Sequence, residues 1–486
     1  MTWSFDANGY EFARQVLQRG VAAVYLTAFL SAVAQFRPLL GENGLLPAPK
    51  YLARIAGRGV PTIFRWHYSD RFLVGVAWTG AVIAAALVAG LPQFGPPWAP
   101  LVAFGLLWIG YMSIVNIGQV FYGFGWESLL LEAGFLVAFL GSNDVAPPVA
   151  VIWLTRWLVF RLEFGAGLIK IRGDSCWRDL TALYYHHETQ PMPNPASWFF
   201  HHLPKPLHKV EVAGNHFAQL VVPFFLFAPQ PVASFAAAIV IVTQLWLVLS
   251  GNFAWLNVLT ILLAFAALGD PAVHTVLPAI PAHTAYSAAT PLWFTVVVLI
   301  MTVGMLILSY WPARNLLSRR QLMNASFNRW HLANAYGAFG HITRRRNEVV
   351  IEGTDDDDPG LGARWREYEF KGKPGDPGRM PRQFAPYHLR LDWLMWFLAL
   401  GSPGYDWFVP LLQRLLAADR RTLRLLRVDP FDGQPPRWVR ARLFRYRYSS
   451  PAERRTTGLW WIREPVGDFV PPLDANGHVR RVPRGL

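Results

Sequence analysis

The sequence predicts a polytopic α-helical membrane protein of about eight or nine transmembrane helices, followed by a soluble α+β domain that contains a β-sheet. Hydrophobic residues make up 53% of the 486 positions and charged residues only 16%, against about 25% in ordinary soluble chains. Apolar runs long enough to cross a bilayer recur along the chain. After residue 312 the pattern changes to the short alternating segments that are typical of strands.

Nine apolar runs are the candidate transmembrane helices, and Trp and Tyr residues stand at their edges as in interfacial aromatic belts. The runs are 18–36, 71–91, 98–117, 127–142, 147–170, 214–228, 232–250, 254–269 and 291–311. They predict a helical bundle over residues 1–312 with two long loops, 37–70 and 171–213. The second loop is rich in Pro, His and aromatic residues, so we expect it to be ordered against the bundle.

The remainder of the chain is predicted as a helical connector, 313–345, and a C-terminal α+β domain, 346–486. Strands are expected in NEVVIEGT, WREYEFKGK and RWVRARLFRYRYS, and helices in LRLDWLMWFLALG and WFVPLLQRLLAADRRTLRLLRV. Most of the net charge of +14 lies here, since the residues from Arg314 onward include 30 Lys and Arg but 18 Asp and Glu. A solvated Arg-rich surface accounts for this charge, and an acidic partner or lipid headgroups are the alternative.

One apolar run, 147–170, is unusual because it carries charged side chains. Arg156, Glu163 and Lys170 are seven residues apart, so on a helix they share one face. Gly167 lies close to that face, where it allows a ligand or a neighbouring helix to approach the backbone. Bare charges in a bilayer are costly, so we expect these side chains to face the protein interior and to be paired.

Two interpretations of these charges are open. In the structural one, Lys170 extends to the membrane interface and Glu163 pairs with Arg156 or Arg161. In the functional one, Lys170 loses its water inside a polar cavity and acts as a base, which makes Lys170, Glu163 and Arg156 the candidate catalytic residues. Glu127 and Glu132, in the run WESLLLEAGFLVAF, are natural acidic partners for the basic side chains of this helix. Arg161 points away from the shared face. The candidate cavity is lined by Glu127, Glu132, Arg156, Glu163, Gly167 and Lys170.

The loop 171–213 contains metal-binding residue types, but their spacing argues against a metal site. Zinc sites usually place His at i, i+4 or in HExxH, whereas adjacent His residues point in different directions. The residues concerned are His186, His187, Glu188, His201, His202 and His208. The Arg–aromatic alternation in RWVRARLFRYRYS could suit RNA, yet a strand with one Arg face toward water or headgroups explains it more simply. We therefore expect no metal and no nucleic-acid partner.

Long and idiosyncratic stretches of the chain resemble the lipase maturation factor family. They include GQVFYGFGWESLLLEAGFL, HETQPMPNP and WREYEFKGKPGDPGRMPRQFAPYHLRLDWLMWFLAL, and the resemblance runs from about residue 12 to about residue 465. It implies a polytopic membrane protein with a chaperone-like role and no cofactor. Animal members reside in the endoplasmic reticulum and help secreted dimeric lipases to fold and assemble, with the C-terminal domain thought to face the lumen. No catalytic residue is carried over from the family.

The resemblance also implies partners and a location. A secreted lipase or another client protein and membrane lipid are the expected partners. The richness in Ala, Arg and Pro is typical of a bacterial chain, so we expect the cell membrane in a prokaryote and the endoplasmic reticulum membrane in a eukaryote. Aromatic side chains of the basic tail are the candidates for binding the client. They are Trp365, Trp393, Trp396, Trp438, Trp460 and Trp461.

A more distant similarity offers a second function. The stretch AGLIKIRGDSCW resembles the AG-x-x-K stretch of the vitamin K-dependent carboxylase-like membrane domain, and GENGLLP is similar to a loop of that group. In the carboxylase, the lysine that matches Lys170 acts as the base on the quinol. The similarity implies a membrane enzyme, or a protein that binds a quinone or lipid-like ligand, with Lys170 in an intramembrane cavity. Whether the chain is an enzyme stays open, and the chaperone-like role is favoured.

Overall fold

The computed structural model describes residues 5–279, 286–360, 362–402 and 404–479, so the ends of the predicted domains, at 1 and 486, lie outside the described residues. Up to residue 317 the described chain is helical and forms one bundle with its connecting loops. The helices are α1 (Glu11–Leu40), α2 (Ala48–Arg54), α3 (Asp70–Ala89), α4 (Trp98–Ile117), α5 (Gly125–Val137), α6 (Val149–Arg172), α7 (Ser175–Arg178), α8 (Leu183–Thr189), α9 (Ser197–His201), α10 (Lys205–Leu220), α11 (Val222–Phe225), α12 (Val232–Ser250), α13 (Leu256–Ala264), α14 (Asp270–Val276), α15 (Leu292–Leu308) and α16 (Tyr310–Leu317).

Among the described residues, five helical segments are long and apolar enough to cross a membrane: α1, α3, α4, α12 and the pair α15–α16. A sixth would form if α13 and α14 act together, although the chain bends by 112° between them. The predicted run 127–142 corresponds to the short helix α5, and the run 214–228 is broken between α10 and α11. The predicted number of eight or nine spans therefore depends on the shorter helices and on the charged helix α6.

Helix α1 lies at the centre of the bundle and is buried along most of its length. Its close approach to α5 requires a glycine, because a Cβ atom at Gly134 would overlap the ring of Tyr25. The ring of Tyr25 in turn packs edge-on against Tyr111 of α4, with centroids 5.8 Å apart. Small residues at helix contacts are the usual means by which membrane helices pack closely.

Both long loops of the bundle are ordered, as the sequence predicts for 171–213. The loop 37–70 contains α2, and it ends at Ser69, whose hydroxyl accepts a hydrogen bond from the Phe72 N–H and caps α3. The loop 171–213 contains α7, α8, α9 and the first turns of α10. Its helices lie between the bundle and the C-terminal domain, where they position several of the polar residues described below.

The connector 313–345 is not helical beyond Leu317, contrary to the prediction. Residues 318–345, all of which the structure describes, contain no helix. Several of them have positive φ angles, including Asn324, His331 and Ala333, which a continuous helix excludes. The physical reason is tertiary: polar groups of this segment bond to side chains of the bundle, which outweighs the local helix propensity of its sequence.

The C-terminal domain is an α+β fold, as predicted, with a small antiparallel sheet. The described residues include the strands β1 (Arg346–Thr354), β2 (Arg366–Tyr368), β3 (Trp438–Tyr448) and β4 (Trp461–Asp474), and the helices α17 (Arg390–Ala399), α18 (Phe408–Leu416), α19 (Arg420–Leu423) and α20 (Pro451–Thr457). The strand order is β2-β1-β3-β4, with Ile351 opposite Tyr368 on one side and Ala441 on the other. Strand β4 was not predicted, because its three prolines and its exposed central residues lack the usual strand pattern.

The Arg face of β3 is largely neutralised within the domain. Arg440 donates to Glu352 of β1 at 2.6 Å, and Arg447 forms two hydrogen bonds with Glu453 of α20 at 2.7 and 2.8 Å. Alternate residues of the strand are buried in the sheet core. These ion pairs fit the interpretation of a solvated Arg-rich strand.

Candidate functional site

The first buried polar cluster lies where the C-terminal domain meets the bundle. Glu127 of α5 is fully buried and accepts hydrogen bonds from Arg390 Nη1, at 2.6 Å, and from the Tyr111 hydroxyl. Arg390 also donates to the carbonyl of Phe121 at 2.9 Å, and its guanidinium lies 3.5 Å from the ring centroid of Tyr122. The sequence predicts a partner for Glu127 on the charged helix, but its cation comes instead from the start of α17.

The backbone next to Arg390 is held to the bundle as well. Gln35 of α1 accepts a hydrogen bond from the Arg390 N–H at 3.0 Å and donates to the carbonyl of His388 at 2.7 Å. The His388 ring lies between Glu127 and Trp126, and burial together with the positive charge of Arg390 lowers its pKa to about 4. At neutral pH this imidazole is therefore uncharged, and the cluster contains one carboxylate and one guanidinium.

The second cluster attaches the connector to the bundle. Glu132 of α5 forms a buried ion pair with Arg161 of α6. The sequence predicts Glu132 as an acidic partner for this helix, but not for Arg161, which it places away from the charged face. Arg161 also donates to the carbonyl of Asn334 at 2.7 Å. Glu132 accepts further bonds from the Asn334 N–H at 3.0 Å and the Tyr336 hydroxyl at 2.8 Å. The pair thus holds residues 334–336 of the connector against the bundle.

The third cluster contains two residues of the predicted charged face, but amides separate them. Lys170 donates to Gln219 at 2.8 Å and to Asn215 at 3.0 Å, both on α10. Gln219 in turn donates to Glu163 at 3.2 Å, and Gln244 of α12 donates to Glu163 at 2.6 Å. Lys170 is 5% exposed, so it does not extend to an interface, and Glu163 has amide partners in place of the predicted arginine.

The remaining residues of the predicted cavity have separate roles. Arg156 donates to the carbonyls of Ala266, at 2.9 Å, and Leu226, at 3.2 Å, where helical turns end and carbonyls lack intrahelical partners. A Cβ atom at Gly167 would lie 2.7 Å from Leu220 Cδ2, so the group that approaches this glycine is helix α10. The six predicted residues therefore belong to four different sets of contacts and do not line one cavity.

The idiosyncratic motifs of the sequence meet at the sheet. Arg346 of β1 pairs with Glu348 at 2.7 Å and donates to the carbonyls of Glu188, at 2.9 Å, and Pro191, at 3.2 Å. Lys373, from the stretch EFKGKPGDP, completes the cluster as an ion pair with Glu348, with 2.7 Å between Nζ and Oε2. The HETQPMPNP loop is thereby attached to the C-terminal domain through a buried arginine.

The candidate client-binding tryptophans are not exposed. Trp393, Trp460 and Trp461 are buried, and the other three are half-buried. The Trp393 ring packs 4.8 Å from Trp126 of α5, and Trp461 stacks on Tyr448 at 4.0 Å. These rings pack in the core of the domain and at its contact with the bundle. Large aromatic side chains favour such positions because they bury a large apolar area there.

The histidines of the loop 171–213 separate into different surroundings. His186 stacks against Phe253, and His202 bonds to the carbonyl of Trp198. His187 of α8 and His208 of α10, however, lie together with Glu211, and their ligand-type atoms are all within 4.8 Å of one another. Among the described residues this is a group that could hold a metal ion, and Glu211 was not among the residues singled out from the sequence.

Comparison with protein families matches both parts of the chain. A family model described as the lipase maturation factor transmembrane domain matches residues 12–275, and one described as the lipase maturation factor C-terminal domain matches residues 332–471. No solved structure matches the chain.

Among characterised relatives, lipase maturation factor 1 of Bos taurus is 41% identical over 96% of this chain and 90% of its own length. Lipase maturation factor 1 of Homo sapiens is 39% identical over 95% of this chain and 87% of its own. Lipase maturation factor 2 of Homo sapiens is 30% identical over 96% and 83%. The similarity extends through the bundle, the connector and the sheet, and the chain therefore belongs to the lipase maturation factor family.

Proposed function

We propose that this chain is an integral membrane factor that helps secreted lipases to reach their active, folded form. The observation that supports this most strongly is the 41% identity to bovine lipase maturation factor 1 over 96% of the chain. The structure adds a physical basis, since the buried ion pairs Glu127–Arg390 and Glu132–Arg161 join the C-terminal domain and the connector to the bundle. A client that folds near the membrane would meet a fixed surface of this domain.

In the proposed arrangement, more helices cross the membrane than the five or six that are long and apolar. Their outward side chains, such as Val242, Ile300 and Leu306, are exposed and suit contact with lipid. We place α6 in the bilayer as well, because partners inside the bundle neutralise or satisfy its charged side chains. With α5 and the α10–α11 segment as shorter crossings, the count reaches eight or nine. The cell membrane is the proposed location in a prokaryote and the endoplasmic reticulum membrane in a eukaryote.

Client contact is proposed for exposed apolar side chains of α18 and β4 in place of the buried tryptophans. We call Val409, Val466 and Phe469 the apolar group of the domain. Val409 and Val466 are each half exposed, and Phe469 rests against Phe408 with ring centroids 5.7 Å apart. An unfolded lipase exposes apolar surface, so such side chains would bind it without specific hydrogen bonds.

The test is maturation of a secreted lipase from the same genome in a host that lacks its own factor. We expect the chain to raise the lipase activity per mass of secreted lipase several-fold. The double variant Val466→Asp and Phe469→Asp should lose this gain at unchanged expression of the factor. Met380→Asp, an exposed apolar position outside the apolar group, is the matched control and should keep it. Equal specific activity with and without the chain would refute the proposed function.

The alternative of a membrane enzyme with Lys170 as base has less support. Lys170 donates to two amides and lies 4.8 Å from the ring centroid of Trp177, so its ammonium is already satisfied by the protein. A quinone or lipid-like ligand would have to displace Gln219 or Asn215 to reach it. Lys170→Arg distinguishes the two proposals: a maturation factor should tolerate the retained charge, whereas a catalytic base would lose all activity.

A further inference from the structure

Helices α8 and α10 bring together three side chains of the types that bind transition metals. His187 projects from α8, and His208 and Glu211 are three residues apart on α10, so they share one face of that helix. The distance from His208 Nδ1 to Glu211 Oε2 is 3.9 Å, which is too long for a hydrogen bond. It is close to the spacing of about 3.3 Å that ligands of a tetrahedral zinc ion have from one another, given metal–ligand bonds of about 2.0–2.1 Å.

His187 is the residue that a purely structural role leaves unexplained. Its side chain is 1% exposed, and neither of its ring nitrogens has a hydrogen-bond partner in the protein. A neutral imidazole carries one donor and one acceptor, and leaving both unsatisfied in the interior is costly. Such a group in a native structure is a known sign of an ion or water at that place.

The surroundings orient the other two side chains as metal ligands. The indole N–H of Trp246 donates to Glu211 Oε1 at 2.6 Å, which leaves Oε2 directed toward His208. His208 Nε2 faces the carbonyl of His201 at 3.4 Å, which favours the tautomer with a free lone pair on Nδ1. Hydrogen bonds of this kind to the outer atoms of ligands are typical of metal sites.

We propose that His187, His208 and Glu211 bind a divalent transition-metal ion, for which two imidazole nitrogens and one carboxylate oxygen favour Zn²⁺. Glu211 is half-buried, so the ion reaches the site from its side, and a water molecule completes the tetrahedron. The ion links α8, whose last three residues begin the HETQPMPNP stretch, to α10, whose amides bind Lys170. Its effect is to hold the loop between the bundle and the C-terminal domain.

The experiment uses the full chain, purified in detergent without a histidine tag, stripped with a chelator and loaded with ZnCl₂. Inductively coupled plasma mass spectrometry of the dialysed protein should find about one zinc ion per chain. His208→Gln and Glu211→Gln should each weaken zinc binding at least about tenfold. His216→Gln, on the same helix but bonded to the carbonyl of Trp177, is the matched control and should bind zinc as the unmodified chain does.

A second measurement keeps the proposal testable if a variant folds poorly. Zinc should raise the unfolding temperature of the unmodified chain and of His216→Gln, because the assembled site of the folded state binds it more tightly than the unfolded chain does. The absence of bound zinc and of a thermal shift in the unmodified chain would overturn the proposal. So would a zinc content that is the same in Glu211→Gln and His208→Gln as in the unmodified chain, since it would locate the ion elsewhere. Neither result depends on the proposed maturation of lipases.

Discussion

Helices α5 and α6 both carry buried carboxylates, but they satisfy them in different ways. Glu127 and Glu132 of α5 are each paired with an arginine, and both pairs contact the chain that follows the bundle. Glu163 of α6 receives its hydrogen bonds from two glutamines, Gln219 and Gln244. Gln219 also accepts a hydrogen bond from Lys170, so an amide separates the two charges. The two helices are neighbours in the same bundle, so burial alone does not explain the difference.

The difference follows from what each carboxylate holds in place. A buried ion pair is costly to separate once it has formed, so it suits the attachment of segments that are remote in sequence. Neutral amides satisfy a buried charge through hydrogen bonds, and Gln and Asn side chains commonly bond across neighbouring membrane helices. The α5 pairs therefore act as attachments for the connector and the C-terminal domain, and the amide-bound residues of α6 act within the bundle.

The strongest way to break this contrast is to remove the cation of one α5 pair. We expect Arg390→Ala to lower the free energy of unfolding by about 3–5 kcal/mol, because Glu127 keeps its charge in a fully buried site. The measurement is thermal or chemical unfolding in detergent, with tryptophan fluorescence as the signal that reports unfolding. Arg455→Ala, an exposed arginine of α20, is the control and should change little.

Acidification tests the same attachment without a substitution. The pKa of His388 is lowered from 6.5 to about 4, chiefly by burial, so between these pH values the unfolded chain binds a proton that the folded chain does not. The free energy of unfolding should therefore fall by up to about 3 kcal/mol as the pH is lowered through this range. His388→Gln should make the free energy of unfolding less dependent on pH over this range.

Asp392, a second buried residue of the domain, should change the free energy of unfolding in the opposite direction on acidification, so it serves as the comparison. Burial raises the pKa of Asp392 from 3.8 to about 6, so the folded chain binds this proton first and gains stability on acidification. Asp392→Asn removes that gain and should steepen the loss. The interpretation fails if both variants follow the pH dependence of the unmodified chain.

The amide-bound carboxylate should be less sensitive. Glu163→Gln preserves the shape of the side chain and one acceptor, so we expect a loss of about 1–2 kcal/mol in the free energy of unfolding, from two weakened hydrogen bonds. The same unfolding measurement applies. A loss equal to that of Arg390→Ala would remove the distinction between the two helices.

The smallest effect is expected at an exposed ion pair of the C-terminal domain. Asp355 pairs with Arg366, and both side chains are about half exposed. Asp355→Asn should lower the free energy of unfolding by less than about 1 kcal/mol, and by even less in high salt, because water and ions screen the pair. A larger loss would show that charge pairs stabilise this chain irrespective of burial.

The sequence predicts the elements of this fold better than their contacts. Composition and periodicity identify the apolar helices, the α+β tail and the strands β1 and β3, since each has a local pattern. Arg156, Glu163 and Lys170 lie on one helix, as their spacing predicts, but the spacing does not tell which neighbouring residue each of them contacts. The connector fails as a helix because its partner, Glu132, lies some 200 residues away in the chain.

The candidate sites show the same limit. Glu127 has no local sign of its partner Arg390, although a lone arginine at the edge of the apolar stretch LRLDWLMWF is a usable signal. Abundant tryptophan suggested exposed binding residues, whereas a domain of this size buries such rings in its core. The spacing of His208 and Glu211 on one helix face is visible in the sequence, but only the fold brings His187 beside them.

The most direct test of the account is a double-mutant cycle at Glu127 and Arg390. Glu127→Leu and Arg390→Met are made singly and together, and the free energy of unfolding is measured in detergent for all four proteins. If the buried pair attaches the domain to the bundle, the double variant should lose at least about 2 kcal/mol less than the sum of the two single losses. Losses that simply add would contradict the account, because the two residues would then act independently.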